Sequence, residues 1–249
     1  MTMPEFIGLK NYYNMFTDPE FWIALKNTFY YGVATTLISV TLALIFAFLI
    51  HMQIVRFSSF FKTSLITPYI ISSVAIMILW AYIFDPTYGL VNAILEKIIS
   101  NPPQWYADPK WAMPTIILYG VWSSVGYYTV LFLAGLAGIP QTFFEAAMVD
   151  GADTKTIFRR IMLPLMRPVI LLVLILATIG TIQVFTPIYV ITEGGPMRAT
   201  TTIVYYLYEQ GFQLFNMGYA SAVAVFMSAM LFALAIIQKK AVGEKGYYY

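Results

Sequence analysis

The sequence predicts an all-α, polytopic membrane protein with five transmembrane helices. Of its 249 residues, 60% are hydrophobic and only 10% are charged, whereas soluble domains carry about 25% charged residues. Five segments are long enough to cross a hydrocarbon core of about 30 Å, and none contains Asp, Glu, Lys or Arg. They are predicted to cover residues 28–50, 63–84, 112–136, 169–191 and 219–238. A lipid bilayer is therefore the expected solvent of a single transmembrane domain, residues 1–249.

The composition limits the chemistry that the chain can carry out. A net charge of +2 is too small to indicate a nucleic-acid partner. The absence of Cys and the single His51 exclude thiolate metal sites and sites with several His ligands. The sequence has no H-E-x-x-H or G-x-S-x-G motif, and no Gly-Lys pair from which a phosphate-binding loop is built. We therefore predict no catalytic residue, no metal and no cofactor bound by this chain, which disfavours a membrane enzyme.

Lys and Arg residues are distributed unevenly between the two sides that the spans define. One side holds nine of them: Arg56, Lys62, Lys155, Arg159, Arg160, Arg167, Lys239, Lys240 and Lys245. The other side holds five: Lys10, Lys26, Lys97, Lys110 and Arg198. Because cytoplasmic loops are enriched in Lys and Arg, the first side is predicted to be cytoplasmic. The chain is then a multi-pass protein of the cell membrane, with its N-terminus outside.

The segment between the third and fourth spans, residues 137–168, is named the EAA loop and is predicted to be cytoplasmic. It is typical of two short amphipathic helices separated by a break. Thr142 and Glu145 match a capping box at the start of the first helix. Gly151 tolerates the left-handed conformation that ends a helix, and Asp153 or Thr154 can cap the second helix.

The first helix of the EAA loop carries an apolar face on which two interpretations remain open. Small Ala146 and Ala147 allow close approach by another surface, and Phe143, Phe144 and Met148 can fill a groove on a partner protein. Alternatively, the helix lies flat on the bilayer surface as an interfacial helix. The residues by themselves favour neither interpretation.

The EAA loop resembles a known signature, which reads E-A-A, three residues, G, nine residues, I-x-L-P. Here it is formed by Glu145-Ala146-Ala147, Gly151 and Ile161-Met162-Leu163-Pro164, with both spacings met. This signature is that of binding-protein-dependent ABC transporter permeases. Four further stretches resemble the maltose-permease type of the sugar-permease branch: GLKNYYNMF from Gly8, FDPTYGLVNAIL from Phe84, FLAGLAGIP from Phe132 and QVFTPIYVITEGGP from Gln183. The resemblance covers nearly the whole chain.

The resemblance implies that the first helix of the EAA loop docks into a groove on a cytoplasmic ATPase and transmits its motion. The implied ATPase-coupling residues are Phe144, Glu145, Ala146, Ala147, Met148, Asp150, Gly151 and Ala152. The implied partners are a second, homologous permease subunit, two ATPase subunits that use ATP and Mg, and an extracytoplasmic solute-binding protein. Members of this branch usually have six spans, so either a leading span is missing from this sequence or the chain is a shorter variant.

The predicted spans carry no ionisable side chain, which argues against a proton-coupled or ion-coupled carrier and suits an uncharged cargo. Sugars need polar groups for their hydroxyls and aromatic faces for their C–H surfaces. The candidates for a substrate pathway are Trp122, Tyr127, Tyr128, Gln183, Phe185 and Tyr189. Each can instead have a packing role, since aromatic residues pack in helix bundles and Gln183 can pair with a neighbouring helix. Gly126 and Gly180 are candidates for close helix approach.

The sequence and the resemblance together predict a permease subunit of an ABC importer that moves a neutral sugar or oligosaccharide. One alternative is a permease for glycerol 3-phosphate or a related polyol in the same branch. Another is a self-contained secondary transporter, which would be expected to show charged groups within its spans and inverted repeats.

Overall fold

The computed structural model describes residues 5–54 and 56–242, and these residues form α-helices, short π-helical stretches, one short 3-10 helix (Trp105–Ala107) and no strand. Lys245, one of the nine bases above, lies outside the described residues. The α-helices are α1 (Lys10–Thr17), α2 (Pro19–His51), α3 (Ser58–Ile70), α4 (Ser73–Ile83), α5 (Leu90–Leu95), α6 (Pro109–Ala137), α7 (Gln141–Val149), α8 (Thr154–Thr156), α9 (Leu163–Leu165), α10 (Arg167–Ile182), α11 (Ile203–Tyr208) and α12 (Met217–Val242). The π-helical stretches are Ile157–Met162, Ile188–Thr192 and Glu209–Gln213. The all-α prediction is confirmed.

Three single helices are long and apolar enough to cross a membrane, namely α2, α6 and α12, with 33, 29 and 26 residues. They coincide with the first, third and fifth predicted spans. Two further pairs pass the same test together but are bent, namely Ser58–Ile70 with Ser73–Ile83 and Thr154–Leu165 with Arg167–Ile182, so the described residues contain up to five spans if each bent pair is one span. The second pair begins within the EAA loop, before the fourth predicted span.

The second predicted span, residues 63–84, is not one continuous helix. Helix α3 ends at Ile70, Ile71 is extended with φ −71° and ψ 152°, and α4 begins at Ser73. Sharp kinks typically occur at Pro or at Gly/Ser pairs, and here Pro68 in the last turn of α3 is followed by the pair Ser72–Ser73.

The fourth predicted span, residues 169–191, is also interrupted. Helix α10 ends at Ile182, and residues 183–185 are not helical; the π-helical stretch Ile188–Thr192 follows. Pro187 has no N–H group to donate to the carbonyl of Gln183, as a continuous helix would require. Gln183 therefore lies at a helix break with its side chain exposed, and not inside a continuous helix as predicted.

The described residues divide into two compact units. The first comprises the described residues of Met1–Ala34, Ser73–Tyr119 and Gly180–Phe232. Its main apolar cluster is formed by Met15, Phe21, Ala24, Leu25, Ile203, Tyr206 and Val223. Beside it, the carboxylate of Asp18 accepts hydrogen bonds from the hydroxyl groups of Tyr206 and Tyr219 and from the N–H of Glu20. Burial raises the pKa of Asp18, but these hydrogen bonds outweigh it and hold the pKa below its ordinary value.

The second unit comprises the described residues of Thr35–Ser72, Gly120–Ile179 and Ala233–Tyr249. Its core brings together the end of α2, the second half of α6, the EAA loop and α10, through Ala47, Phe48, Phe132, Leu136, Phe144, Ile157, Met162, Met166 and Val173. Helices α3 and α6 approach so closely that a Cβ at Gly126 would collide with the carbonyl oxygen of Leu65. The expected close approach is therefore confirmed at Gly126. It is wrong at Gly180, where a Cβ would meet nothing within 4 Å.

We expect Gly126→Ala to lower the free energy of unfolding by at least about 2 kcal/mol, because the added methyl group meets backbone, which cannot rotate away. Gly180→Ala is the matched control. It fills open space and should be neutral or slightly stabilising, since Ala favours a helix over Gly by about 1 kcal/mol. Denaturant titration of the purified chain in bicelles measures both. Equal stability of the two variants would contradict this account of α3 and α6.

Candidate functional site

Helix α7 of the EAA loop ends in a Schellman motif, in which two hydrogen bonds close the last turn. The N–H of Ala152 donates to the carbonyl of Ala147 at 2.9 Å, and the N–H of Gly151 donates to the carbonyl of Met148 at 3.1 Å. Gly151 has φ +78°, the left-handed conformation that this motif requires. The predicted helix end at Gly151 is confirmed.

The Schellman motif gives a physical reason for the spacing between Ala147 and Gly151. In this motif, the residue whose carbonyl accepts the outer hydrogen bond lies four positions before the left-handed glycine. The side chain of that acceptor residue usually makes an apolar contact with the residue that follows the glycine. Here both positions are alanines, Ala147 and Ala152, and both pack against the core of the second unit. The spacing between Ala147 and Gly151 in the signature is therefore the spacing that a Schellman motif needs to end a helix.

The two predicted helix starts in the EAA loop have different outcomes. The capping box of Thr142 and Glu145 is wrong, because α7 begins at Gln141 after an extended Pro140 and has no side-chain cap. The chain becomes helical before Thr142, so Thr142 and Glu145 both lie inside α7. At the second start, Asp153 is the cap, and its side chain accepts a hydrogen bond from the N–H of Thr156 at 2.9 Å. Hydrogen bonds with Thr156 lower the pKa of Asp153.

Aromatic contacts anchor the EAA loop to the end of α2. Phe144 is only 1% exposed, and its ring lies 5.1 Å from the ring of His51 between centroids. Phe158 packs against Phe48 at 4.9 Å, edge to face. The prediction that Phe144 is available to fill a groove on a partner is therefore wrong, because this side chain is part of the core. Its place in the fold is to hold α7 in position.

The opposite side of α7 is exposed and mixes acidic, small and apolar residues. Glu145, Ala146 and Asp150 are exposed, Met148 is 49% exposed and Val149 is 87% exposed. Ala147 and Ala152 are half-buried under this surface. We name Glu145, Ala146, Met148, Val149 and Asp150 the exposed face of α7. It is a firmly supported surface, because the residues beneath it belong to the core.

In the second unit, the pathway candidates of the third span have different environments. Trp122 is exposed, and Tyr127 stacks on Tyr69 with ring centroids 4.5 Å apart. Tyr128 is buried in the core of the unit beside Phe132. Its assignment to a pathway stays a prediction, and in this structure its side chain packs in the core.

In the first unit, the fourth-span candidates lie at and after the helix break. Phe185 stacks on Tyr189 at 5.4 Å, and both rings meet Tyr208 edge to face, at 5.2 and 5.5 Å. Tyr208 in turn stacks on the exposed Phe212 at 5.8 Å. The sequence prediction missed Tyr208 and Phe212, because they lie outside the charge-free spans. The one sequence signal for them is the aromatic run YYLYEQGF from Tyr205.

The described cation near this aromatic cluster, Arg198, is paired with two carboxylates. Arg198 pairs with Glu209 at 2.8 Å and with Glu20 at 3.1 Å. Burial lowers the pKa of Arg198, but pairing with Glu209 and Glu20 outweighs it and raises the pKa overall. Within the described ranges, 5–54 and 56–242, no group of three or more His, Cys, Asp or Glu residues could hold a metal ion.

Known proteins resemble this chain over almost its whole length. A family model described as "Binding-protein-dependent transport system inner membrane component" matches residues 55–242. The lactose transport system permease protein LacF of Rhizobium radiobacter is 36% identical over 248 residues, 98% of this chain and 83% of LacF. The sn-glycerol-3-phosphate transport system permease protein UgpA of Agrobacterium fabrum is 32% identical over 247 residues, 98% of this chain and 83% of UgpA.

A solved structure shares the fold. It is that of a bacterial alginate ABC transporter in complex with alginate pentasaccharide-bound periplasmic protein. The superposition has a TM-score of 0.87 and covers 97% of this chain and 84% of that chain, at 24% sequence identity. At this identity the likeness concerns the fold.

We expect Phe144→Ala to loosen α7, because the deletion of a buried aromatic ring typically costs about 3 kcal/mol. Amide hydrogen exchange in residues 141–149 should become about a hundredfold faster, measured by mass spectrometry on the chain in nanodiscs. Phe143→Ala is the matched control, since Phe143 is 43% exposed and its loss should change exchange far less. Similar exchange in both variants would contradict the anchoring role of Phe144.

Proposed function

Because the chain belongs to the binding-protein-dependent transport system inner membrane component family, we propose that it is a permease subunit of an ABC importer for a neutral sugar or oligosaccharide. ATP and Mg are used by two partner ATPase subunits. A second, homologous permease completes the transmembrane pathway, and an extracytoplasmic solute-binding protein delivers the cargo. The exposed face of α7 lies in the cytoplasm, on the side that is rich in Lys and Arg.

The observation that carries the proposal is the construction of α7 as a supported docking surface. Its anchor, Phe144, belongs to the core, its end is fixed by the Schellman motif at Gly151, and its other side is exposed. An interfacial helix would turn its apolar face to lipid, whereas α7 buries one of its two phenylalanines, Phe144, in the protein core. The exposed face also carries the carboxylates of Glu145 and Asp150. This arrangement favours a helix that fits a groove on a partner protein.

A rigid connection between this surface and the transmembrane helices is what force transmission requires. Phe144 contacts His51 and Phe158 contacts Phe48, so two separate parts of the EAA loop are fixed to the last turns of α2. ATP-driven movement of the ATPase subunits would therefore displace the end of a membrane-spanning helix. We infer that this displacement switches the pathway between inward-facing and outward-facing states.

The break after α10 supports a cargo pathway in the first unit. Irregular backbone within a span is tolerated only where it is buried in protein or lines a water-filled cavity. Gln183 lies at this break with an exposed amide that can donate and accept hydrogen bonds, and Phe185 and Tyr189 follow it. An amide beside aromatic rings suits the hydroxyl groups and C–H faces of a sugar. Because Arg198 is paired with two carboxylates, its positive charge is already engaged and does not attract an anionic cargo. This favours a neutral cargo.

A glycerol 3-phosphate or polyol permease is the second candidate, and the similarity to UgpA favours it. A phosphate cargo would be expected to meet an unpaired Lys or Arg along its path. Arg198, the described cation nearest in sequence to the break, is engaged with Glu20 and Glu209. A binding assay on the solute-binding protein with a panel of sugars and glycerol 3-phosphate separates the two candidates. Uptake without ATP hydrolysis would instead identify a secondary transporter.

We predict that Gly151→Val lowers cargo-stimulated ATP hydrolysis of the complete transporter about tenfold. A β-branched residue in the left-handed conformation costs about 1–2 kcal/mol, so α7 would lose its fixed end. Gly151→Asn is the matched control, because Asn visits this conformation and a Cβ here meets nothing within 4 Å. Both variants should insert into the membrane normally. Wild-type activity in Gly151→Val would contradict the docking role of α7.

We predict that Gln183→Ala raises the KM for sugar uptake about fivefold to tenfold, because one net hydrogen bond contributes about 1 kcal/mol. The change should differ among sugars, and assembly of the transporter should be unaffected. Gln104→Ala is the control, since Gln104 is another exposed glutamine of the first unit, far from α10 in sequence. Initial uptake rates in proteoliposomes measure the effect. Unchanged uptake kinetics across the sugar panel would remove Gln183 from the pathway.

A further inference from the structure

A cavity of about 530 Å³ opens in the second unit at the end of α2. Ile50 and Leu133 contribute apolar lining, and His51, Gln53, Ser58 and Lys62 contribute polar lining. These residues lie on the last turn of α2, the following connection, the start of α3 and the end of α6. None of them is a pathway candidate or part of the exposed face of α7.

The polar lining of this cavity suits an anion. Lys62 supplies a positive charge, and His51, Gln53 and Ser58 each carry a group that can donate a hydrogen bond. Among residues 5–54 and 56–242, no carboxylate forms an ion pair with Lys62, whereas Arg198 pairs with two. Four potential donors therefore surround a space that has no internal counter-charge. A phosphate group satisfies such a set of donors.

The residues next to the cavity in sequence expose large apolar side chains. These side chains favour a lipid over a soluble anion as the ligand of the cavity. Phe57 is 84% exposed, Phe60 is 75% exposed and Ile54 is more than half exposed. A free phosphate makes no use of such side chains. A phospholipid does, because its acyl chains need an apolar surface next to the site that holds its headgroup. The cavity also lies at the end of a membrane-spanning helix, which is the depth at which headgroups lie.

We propose that this cavity binds the headgroup of an anionic phospholipid, with its phosphate near Lys62 and its acyl chains against Phe57 and Phe60. Basic pockets between spans at the cytoplasmic surface are suited to such headgroups. The bound lipid also stabilises α7, because His51 both lines the cavity and contacts the ring of Phe144. The membrane composition then influences how firmly the docking helix is held. The lipid site itself depends only on the chain spanning a membrane and not on the cargo.

The first test compares retention of phosphatidylglycerol and phosphatidylcholine by the purified full chain, using native mass spectrometry. The wild-type chain should retain phosphatidylglycerol preferentially. Lys62→Gln should weaken this retention about fivefold, the effect of one basic residue at a membrane surface. Lys240→Gln is the matched control, since Lys240 is an exposed base on the same predicted side but outside the cavity. Equal retention of the two lipids, or an unchanged Lys62→Gln variant, would overturn the proposal.

Two further measurements distinguish a lipid from a soluble anion and test the connection to α7. Inorganic phosphate and glycerol 3-phosphate should not displace phosphatidylglycerol, and displacement by either would assign the cavity to a soluble anion. In nanodiscs, phosphatidylglycerol should slow amide exchange in residues 141–149 of the wild-type chain and of Lys240→Gln, but not of Lys62→Gln. Identical exchange with and without phosphatidylglycerol would refute the connection to α7. These readouts need neither ATPase nor cargo, so their failure is independent of the proposed transport function.

Discussion

A helix in lipid must satisfy its backbone hydrogen bonds within itself, and this constraint determines where the chain can present polar groups. Helices α2 and α12 meet it without interruption, and α6 is continuous although Pro114, near its start, has no N–H group to donate. The other two predicted spans do not, since each is interrupted near a proline, Pro68 in one and Pro187 in the other. Each interruption leaves backbone groups that need water or a protein partner. The continuous helices therefore act as a scaffold, and the interrupted ones carry the exposed polar groups, such as the amide of Gln183.

The same backbone requirement shapes the EAA loop outside the spans. Helix α7 must end without leaving its last carbonyls unpaired, and the left-handed Gly151 allows the N–H groups of Gly151 and Ala152 to fold back onto them. The next helix starts with the Asp153 cap two residues later. The break between the two helices is therefore short, and hydrogen bonds close it. As a result, α7 has a fixed position and presents a defined surface. A flexible connection of the same length would absorb movement instead of transmitting it.

Apart from the capping box of Thr142 and Glu145, local sequence patterns predicted the features that depend on neighbouring residues, and they failed where distant contacts decide. Charge-free length found α2, α6 and α12, glycine chemistry found the helix stop at Gly151, and aspartate chemistry found the helix start at Asp153. Phe143 and Phe144 are adjacent phenylalanines on one predicted face, yet only contact with His51 reveals which of them is buried. Gly126 and Gly180 are equally plausible sites of close approach until the backbone of α3 is in place. Such distinctions require tertiary structure, because nothing in the local sequence encodes them.

The placement of cations separates the two kinds of ligand that the chain is proposed to meet. In the first unit, Arg198 is held between Glu20 and Glu209, and an incoming phosphate would have to compete with two carboxylates for it. In the second unit, Lys62 lines a cavity and no described carboxylate pairs with it. An anion is therefore disfavoured beside the aromatic cluster and favoured at the end of α2. A neutral cargo and an anionic lipid can then occupy the same subunit without competing for one site.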